Sequence, residues 1–393
     1  MSEQLGADRV LRILAVAPWT PSSRRPRSLR LLTMLSDVHV IHLVCVAWSD
    51  EDMQDAGRLP FPVTAIRIHR VRGLLGATWA FFKGSSLQQG FVTSRRLGQA
   101  LRHVAQSFSP DVFYFNVARS AHLLSWIRGM PGERVIDLDE LRSGYYRQMR
   151  EISRNLLWRQ IARVEAPRLS RAEADIRRNF DRVLFSSPLD VDKWQESAVL
   201  VRSPTRFNMT NVAHDLSASR RSVVFVGRLG YRANFEAIKW FVENIWPMVV
   251  AEFDDVDLFI VGEKPGRAIR RLESETVHVT GRVSEVDPYY FRAVASIVPV
   301  RMATGVQLKL IEAMSAGTLA IVSPIVAQGA GVQDGRQVLV ADSDRESWMS
   351  AIRLALTDSA RVNSIRAEAS LWVAREYDDS VIKASLLRGL VSE

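Results

Sequence analysis

The sequence predicts an α/β fold built from two doubly wound domains that face each other across a cleft. Short β-branched runs alternate with longer stretches of helical period along the chain, which is the pattern of parallel sheets. Residues 202–221 separate two groups of such runs; they are polar and short of periodic apolar residues, which predicts a linker. With 393 residues, 47% of them hydrophobic, the chain can form two cores.

The predicted strands are runs of β-branched, aromatic and aliphatic residues. In the first domain, residues 1–205, they are LRILAVA (11–17), VHVIHLVCVA (38–47), VTAIRI (63–68), VFYF (112–115), RVID (134–137) and RVLFS (182–186). In the second domain, residues 206–375, they are SVVFVG (222–227), DLFIVG (257–262), VHVTG (277–281), VASIVP (294–299), LAIVS (319–323) and QVLVA (337–341). The helical stretches between them favour a doubly wound parallel sheet in each domain.

Composition favours a soluble cytoplasmic protein. The longest uncharged apolar run, residues 38–48, is about half of what a membrane span needs, and no basic stretch leads into an apolar core at the N-terminus. The single cysteine, Cys45, lies in that run, which excludes an intramolecular disulfide and fits a reducing compartment.

The positive charge of the chain is concentrated in its first half. Residues 1–200 contain 29 Lys and Arg against 20 Asp and Glu, whereas residues 201–393 contain 23 of each. A one-sided basic surface indicates an anionic partner, either a phospholipid leaflet or a phosphorylated acceptor. Nucleic acid is not expected, because no recognition helix, zinc finger or aromatic-rich binding motif accompanies the arginines.

Several common sites are excluded by their motifs. No GxGxxG follows the first strand, where the chain reads PWTPSSRRPRS, and no GxxxxGK[ST] occurs. One cysteine cannot build a thiolate zinc site, and the seven histidines lack the HExxH spacing. No metal site is therefore expected.

The stretch ATGVQLKLIEAMSAG, residues 303–317, predicts an anion-binding helix. Thr304 and Gln307 have capping-box spacing, so we expect the helix to begin at Gly305. Gly305, Lys309 and Glu312 then share one face at the carboxyl end of a parallel strand. A diphosphate can bind the free N–H groups there, while the carboxylate accepts hydrogen bonds from a ribose diol. The alternative is an ordinary Lys309–Glu312 ion pair on a solvated helix.

The same residues carry a family resemblance. PVRMATGVQLKLIEAMSAG resembles the nucleotide-sugar signature of the group 1 glycosyltransferases, glycosyltransferase family 4, and is most similar to the exopolysaccharide-associated subgroup P-x-R-x-x-x-G-x-Q-x-K-x-x-E-A-M. The resemblance extends over residues 222–341, through FVGRLGYRANFEAIKWFVENIWP, LFIVGEKP, VTGRVSEV and VLVADS. The first half is similar more loosely, through RILAVAPWTP and the PDV at 110–112.

The resemblance implies a GT-B fold and metal-independent transfer of a hexose from a UDP-, GDP- or dTDP-sugar, with retention of anomeric configuration. The nucleotide sugar is a substrate, so no cofactor is implied. The acceptor would be a lipid-linked or otherwise anionic glycan, or a natural-product aglycone, and peripheral contact with the inner membrane face is possible for such a protein. The amphipathic stretch 379–391 is expected to form a final helix, within 376–393, that packs back on the first domain.

Site residues are also implied by the resemblance. Glu312 matches the glutamate that binds the donor ribose, and Arg228 matches the arginine that contacts the diphosphate. Two positions depart from the family pattern: Thr304 replaces the first glutamate and Ala233 replaces a lysine, so Lys309 is expected to supply the missing charge. Arg228 and Lys309 are the expected catalytic cations. The further donor-binding positions are Gly227, Arg282, Val283, Gly305, Val306 and Gln307.

Acceptor binding is assigned to the first domain. Arg24, Arg25 and Arg27 are interpreted as a basic surface for an anionic acceptor or membrane, with a solvated loop as the alternative. Asn116 stands where many relatives have a histidine near the donor sugar.

Alternatives remain for one motif and for the function. Asp137 and Asp139 imitate the metal-binding DxD of the other glycosyltransferase fold, GT-A, but are expected to end a strand before a helix that begins at Glu140. A nucleotide-sugar-binding protein without transferase activity, and a GT-B epimerase, are the alternative functions.

Overall fold

A computed structural model describes residues 9–153, 155–205 and 220–391 of the chain. The chain divides into two compact units, one formed by Met1–Pro204 with Asp379–Glu393 and the other by Thr205–Asp378. Most of the predicted linker, residues 206–219, lies outside the described residues.

The first unit is a parallel sheet flanked by helices. Its strands are β1 (Arg12–Ala17), β2 (Val40–Ala47), β3 (Val63–Arg67), β4 (Val112–Asn116), β5 (Glu133–Asp139), β6 (Arg182–Phe185) and β7 (Ala198–Leu200). Its helices before the second unit are α1 (Pro26–Ser36), α2 (Asp50–Ala56), α3 (Arg70–Phe82), α4 (Leu87–Val92), α5 (Arg95–Phe108), α6 (Arg142–Ile152), α7 (Leu156–Asn179) and α8 (Pro188–Trp194), with a 3-10 helix at Ala121–Ile127.

The second unit repeats this architecture. Its strands are β8 (Arg221–Val226), β9 (Val256–Val261), β10 (Val277–Gly281), β11 (Ala293–Val298), β12 (Leu319–Val322) and β13 (Leu339–Val340). Its helices are α9 (Arg232–Asn244), α10 (Trp246–Glu252), α11 (Arg267–Arg270), α12 (Asp287–Arg292), α13 (Leu308–Ser315), α14 (Pro324–Ala330), α15 (Arg345–Thr357) and α16 (Ser359–Glu376). The last helix, α17 (Asp379–Arg388), belongs to the first unit.

Both sheets have the same strand order. The first sheet runs β3-β2-β1-β4-β5-β6-β7 and the second runs β10-β9-β8-β11-β12-β13, with parallel pairing between the named strands. This is the Rossmann order, which confirms the predicted doubly wound fold of each domain. All twelve predicted strands are present, and among the described residues the three-residue strand β7 is the only one not predicted.

The last helix completes the apolar core on one face of the first sheet. Ile382, Leu386 and Leu390 are fully buried among residues of β1, β2 and α1. Ion pairs fix its polar side, with Arg30 and Asp379 at 3.1 Å and Lys383 and Asp37 at 3.0 Å. The C-terminal residues are therefore part of the first unit's packing.

A buried ion pair closes the carboxyl edge of the first sheet. The Arg27 guanidinium, on α1, donates to both Asp137 oxygens at 2.7 to 3.2 Å. Its remaining donor bonds the Val201 carbonyl and the Ser203 hydroxyl, each at 2.9 Å. Burial alone would lower the pKa of Arg27, but the carboxylates of Asp137 and Asp139 raise it.

This pair corrects one expectation from the sequence, the surface role of Arg27, and agrees with another, that Asp137 lies at the end of a strand. Arg27 is only 8% exposed, so it does not belong to a basic surface. Asp137 is fully buried and already accepts bonds from Arg27, so its carboxylate faces the protein interior and not a sugar nucleotide. The helix after β5 begins at Arg142 rather than at Glu140, because residue 139 adopts a left-handed conformation with φ 66°.

We predict that Asp137→Asn lowers the free energy of unfolding of the first domain by about 3–5 kcal/mol, because it leaves the buried Arg27 cation poorly compensated. Urea titration followed by circular dichroism measures the loss. The control is Glu51→Gln, which removes an exposed partner of Arg24 and is expected to cost less than about 1 kcal/mol. Equal losses in the two variants would contradict a structural role for the buried pair.

Candidate functional site

The second sheet places two loops side by side at its carboxyl edge. β8 and β11 are neighbours at the point where the strand order reverses, so the loops that follow them diverge and leave a crevice. Gly227 and Arg228 follow β8, and residues 299–307 follow β11 and lead into α13. The predicted donor-binding residues of these two loops are therefore brought together by the topology.

The loop before α13 differs from the sequence prediction. The helix begins at Leu308, three residues later than expected, and Gln307 is its N-cap residue without a side-chain cap bond. Gly305 has φ 63°, a left-handed conformation in which glycine is favoured. A Cβ on Gly329 would lie 2.5 Å from the Gly305 carbonyl oxygen, so α14 and this loop are in backbone contact. The capping box is therefore replaced by a glycine turn, and Thr304, Val306 and Gln307 stand partly exposed in or beside it.

Lys309 holds its cation against the floor of the crevice. Its Nζ donates to the Asn234 side-chain oxygen at 2.6 Å and lies 5.4 Å from the centroid of the Phe225 ring. Although the residue as a whole is partly exposed, burial of the ammonium lowers the pKa of Lys309 to about 8, against the opposing effect of the Glu312 carboxylate. A desolvated lysine with an amide partner is a cation that an anionic ligand would stabilise strongly.

Asn234 links Lys309 to the loop after β8. Its Nδ2 donates to the Arg228 carbonyl at 3.0 Å while its Oδ1 accepts from Lys309. Gly227 lies between them, because a Cβ there would meet the Asn234 Nδ2 at 3.0 Å and the Lys309 Cε at 3.2 Å. The lack of a side chain at 227 therefore lets these two groups approach the backbone. Sequence reasoning did not identify Asn234, since an asparagine in the first turn of a helix has no distinctive spacing.

Arg228 is at the rim of the crevice. Its side chain is half exposed, and its Nε donates to the Glu263 carboxylate, at the end of β9, at 3.0 Å. A guanidinium has five N–H donors, so the bond from Nε to Glu263 leaves further donors for a ligand. Arg228 thus supplies a half-exposed cation at the rim, whereas Lys309 supplies a desolvated one within the crevice.

Glu312 lies one turn along α13 from Lys309 and is half buried. The hydroxyl of Tyr290, a fully buried residue, is 3.3 Å from the Lys309 carbonyl and 3.5 Å from the Glu312 Oε2. The Tyr290 hydroxyl therefore stabilises the first turn of α13 through a hydrogen bond to the Lys309 carbonyl. The Lys309 ammonium is directed to Asn234, so the solvated ion pair considered from the sequence does not describe this helix.

Arg282 and Val283 follow β10, which is the edge strand next to β9. Two strand spacings, about 10 Å, separate the ends of β10 and β8. Arg282 is exposed and Val283 is half buried. A ligand that contacted both loops would need an extended shape, such as a base joined to a diphosphate.

In the first unit, two of the predicted acceptor-side residues have structural partners. Asn116, at the end of β4, is buried; its Oδ1 accepts from Ser28 at 2.9 Å. The Arg24 guanidinium bonds to Glu51, Asp52 and Asp55 at 2.8 to 3.1 Å, which leaves its charge well compensated. Like Arg27, Asn116 and Arg24 therefore have structural roles at the carboxyl edge of the first sheet.

Three other arginines meet at that edge, and we call Arg25, Arg119 and Arg142 the arginine cluster. The guanidinium carbons of Arg25 and Arg119 lie 4.8 and 5.6 Å from the Trp19 ring centroid. Burial, together with the positive charges of Arg142 and Arg25, lowers the pKa of Arg119 to about 10. The Arg119 Nε donates to the neutral Gln88 side chain at 2.8 Å, and Arg142 pairs with Glu140. The sequence predicted only Arg25, because the cluster is assembled from loops after three different strands.

A metal centre is not evident among the residues that the structure describes. Within residues 9–153, 155–205 and 220–391, no group of three or more His, Cys, Asp or Glu side chains is arranged to hold a metal ion. In the same ranges, every helix is too short or too polar to cross a bilayer.

Comparison with known proteins gives a family for the second unit. Residues 220–358 match the family model described as "Glycosyl transferases group 1". An uncharacterized 44.6 kDa protein in the cps region of Klebsiella pneumoniae is 25% identical over 228 residues, which span 54% of this chain and 57% of that protein. The match thus covers a little over half of the relative's length.

Solved structures share the fold of the whole chain. HepE from Anabaena, solved in complex with UDP-glucose, superposes with a TM-score of 0.65 at 14% identity, covering 96% of this chain and 98% of HepE. Sucrose-phosphate synthase from Thermosynechococcus elongatus superposes with a TM-score of 0.69 at 17% identity, covering 95% and 97%. With the two Rossmann-ordered sheets, these similarities lead to one conclusion: residues 220–358 match the group 1 glycosyltransferase family, and the chain has the GT-B fold of two Rossmann-like domains.

Proposed function

We propose that the chain transfers a hexose from a UDP-, GDP- or dTDP-sugar to an anionic, lipid-linked glycan acceptor, with retention of configuration and without a metal ion. The observation that carries the proposal is the desolvated Lys309 ammonium, held by Asn234 beside Gly227 and a glycine turn at the switch point. HepE, a protein of the same fold, was solved with UDP-glucose.

The donor diphosphate fits the crevice between Gly227 and Gly305. There the Lys309 ammonium and the Arg228 guanidinium would face the phosphate oxygens, and the Glu312 carboxylate would accept hydrogen bonds from the ribose. Arg282 and Val283, about 10 Å across the sheet edge, would contact the base. Thr304 takes the position of a donor-sugar contact, and its hydroxyl can bond a sugar hydroxyl as acceptor or donor.

The chemistry asked of these residues is electrostatic. The anomeric C–O bond breaks and its electron pair remains on the β-phosphate oxygen, while the acceptor oxygen forms the new glycosidic bond and its proton passes to the departing phosphate. Negative charge grows on the diphosphate in the transition state. Preorganised cations stabilise this charge, and losing one such group commonly slows a reaction about 100- to 1000-fold.

The arginine cluster supports an anionic acceptor. Arg25 and Arg119 lie beside Trp19. Burial and the positive charges of Arg142 and Arg25 lower the pKa of Arg119 against the opposing charge of Glu140. A phosphate or carboxylate of the acceptor would compensate these positive charges through charge-assisted bonds. This cluster replaces Arg24 and Arg27 as the proposed acceptor-binding residues, and Arg25 is retained.

Two other functions are distinguished by one assay. A nucleotide-sugar-binding protein would bind the donor without releasing nucleoside diphosphate, and an epimerase would return a different nucleotide sugar. We expect slow donor hydrolysis without acceptor, with one base and sugar preferred among UDP-, GDP- and dTDP-sugars. The assay measures the release of nucleoside diphosphate and the activity that remains in EDTA. NMR determines the anomeric configuration of the transferred sugar. Tight donor binding with no turnover, even with membrane-extract acceptors, would support the binding protein instead.

We predict that nucleoside diphosphate binding weakens as the pH rises above about 8, because the anion favours the protonated Lys309 and the free protein loses that proton near its lowered pKa. One pH unit above the pKa, affinity should be about tenfold lower. Calorimetry with UDP, GDP and dTDP from pH 6.5 to 9.5 measures this affinity. Lys309→Met should bind about 10- to 150-fold more weakly at pH 7 and lose this pH dependence. A Lys239→Met variant is the control, and an unchanged profile in Lys309→Met would remove Lys309 from the donor site.

We predict that Arg119→Gln raises KM for the acceptor by about tenfold or more, because it removes a charge-assisted bond. The affinity for a simple anionic probe should fall by the same factor. Binding of glycerol 3-phosphate is measured with saturating nucleoside diphosphate present, so that the donor site is filled. Arg128→Gln, an exposed arginine of the same domain, is the control, and Arg119→Lys should restore part of the affinity. If glycerol 3-phosphate binds Arg119→Gln and Arg128→Gln as tightly as it binds the parent chain, the arginine cluster has a structural role only.

A further inference from the structure

The surface of the first unit contains a helix whose large apolar side chains face outward. On α3, the exposed fractions of Val71, Leu75, Trp79 and Phe82 are 70%, 66%, 63% and 82%. Their spacing of i, i+4, i+8 and i+11 places them along one stripe of the helix. A stripe of this kind is rare on a soluble monomer, where large contiguous apolar patches mark interaction sites.

The inward face of α3 is built from small residues. Added Cβ atoms at Gly73 and Gly76 would lie 2.9 Å from the Phe91 ring and 2.2 Å from the Gly90 carbonyl oxygen. A Cβ on Gly90 would in turn lie 2.3 Å from that of Ala80. The helix therefore packs on α4 through backbone contact, and its large side chains are not needed for the fold. This arrangement is the reverse of an ordinary surface helix, which buries its large apolar residues.

The apolar surface continues onto α7. The Arg168 Nη2 donates to the Phe81 carbonyl at 2.9 Å, and its guanidinium carbon lies 4.7 Å from the Phe81 ring centroid. Leu157 lies eleven residues before Arg168, on the same stripe of α7, and it is exposed, as are its neighbours Leu156 and Trp158. The start of α7 thus extends the outward-facing apolar stripe of α3.

Positive charge surrounds this surface. Between Asp55 and Asp111 the chain contains eight Lys and Arg residues and no Asp or Glu. Arg72, Lys83 and Arg95 line a groove of about 770 Å³ beside α3, with Leu75 and Trp79. In the part of the chain that the structure describes, no carboxylate lies within 4 Å of these three cations. Most of the positive excess found in the sequence therefore lies in the segment that contains α3, and three of its cations line this groove.

We propose that the outward stripe of α3, with the start of α7, docks the protein on a bilayer that contains anionic phospholipid. Val71, Leu75, Trp79 and Phe82 enter the boundary between headgroups and acyl chains, and Arg72, Lys83 and Arg95 bind the phosphates around them. The combination of aromatic and aliphatic insertion with unpaired cations fits an anionic bilayer better than a second copy of this basic chain, because two such faces would repel each other.

The inference deepens the proposed function, since a lipid-linked acceptor would be reached from this position, but its test is independent of transfer. Flotation with vesicles of phosphatidylcholine alone, or of phosphatidylcholine with 30% phosphatidylglycerol, measures binding of the full chain. We expect at least tenfold tighter binding to the anionic vesicles at 0.1 M salt, and loss of that preference at 1 M, where the Debye length falls to about 3 Å.

Two variants separate the apolar and charged contributions. Leu75→Gln with Phe82→Gln should weaken binding to anionic vesicles about tenfold or more, and its control is Leu371→Gln, which alters an equally exposed leucine of the second unit. Arg72→Gln with Lys83→Gln and Arg95→Gln should weaken it about 100-fold. The matched control replaces Arg267, Arg270 and Arg271 by Gln, which removes the same charge from the second unit. Donor hydrolysis should be unchanged in all four variants, so a failure of this inference is distinct from a failure of the proposed transferase activity.

Quenching of tryptophan fluorescence by brominated lipid locates the contact. Quenching should fall in Trp79→Phe, because Trp79 would be the deepest indole. Equal binding of parent and variant chains to anionic vesicles would overturn the proposal. So would a dimer, seen by analytical ultracentrifugation without vesicles, that Leu75→Gln with Phe82→Gln converts to a monomer, since the stripe would then be a self-association surface.

Discussion

Both domains depend on one topological constraint, the reversal of strand order beside the first strand of each sheet. After β1 and β4, and again after β8 and β11, the chain leaves toward opposite sides, so a crevice forms at each carboxyl edge. In the first domain Arg27 and Asp137 fill it with a compensated ion pair. In the second domain glycines line it, and the lysine there donates to a neutral amide oxygen. One fold thus yields a crevice that holds a compensated ion pair and another that is lined by glycines.

The difference between the two crevices is a difference in charge compensation. A buried arginine with a bidentate carboxylate has no electrostatic need for a ligand, so it serves as structure. Lys309 has a neutral partner, and desolvation lowers its pKa to about 8. Because desolvation destabilises the free Lys309 cation, an anion that binds to it relieves this destabilisation and is bound more tightly. The same reasoning applies to Arg119, whose neighbours include two further arginines.

The sequence predicted the fold well because its signals are local. Period-two and period-3.6 patterns located every strand but the short β7, and the family-like stretch located Lys309 and Glu312. It failed where tertiary contacts overrode local patterns. Thr304 and Gln307 satisfy a capping box, yet backbone contact between Gly305 and Gly329 delays the helix. Arg27 looks solvated beside Arg24 and Arg25, because its partner Asp137 lies 110 residues away. No spacing rule connects Arg25, Arg119 and Arg142.

The position of α17 affects how the chain is made. Ile382, Leu386 and Leu390 complete an apolar core whose other members are supplied mostly by the first 200 residues. During synthesis on the ribosome, these residues emerge only after the whole second domain. The sheet face of the first domain, which α1 covers only in part, is therefore completed after the second domain has been synthesised, which departs from the usual N-terminal-first order. Such a long-range closure slows folding and lengthens the period in which chaperones are needed.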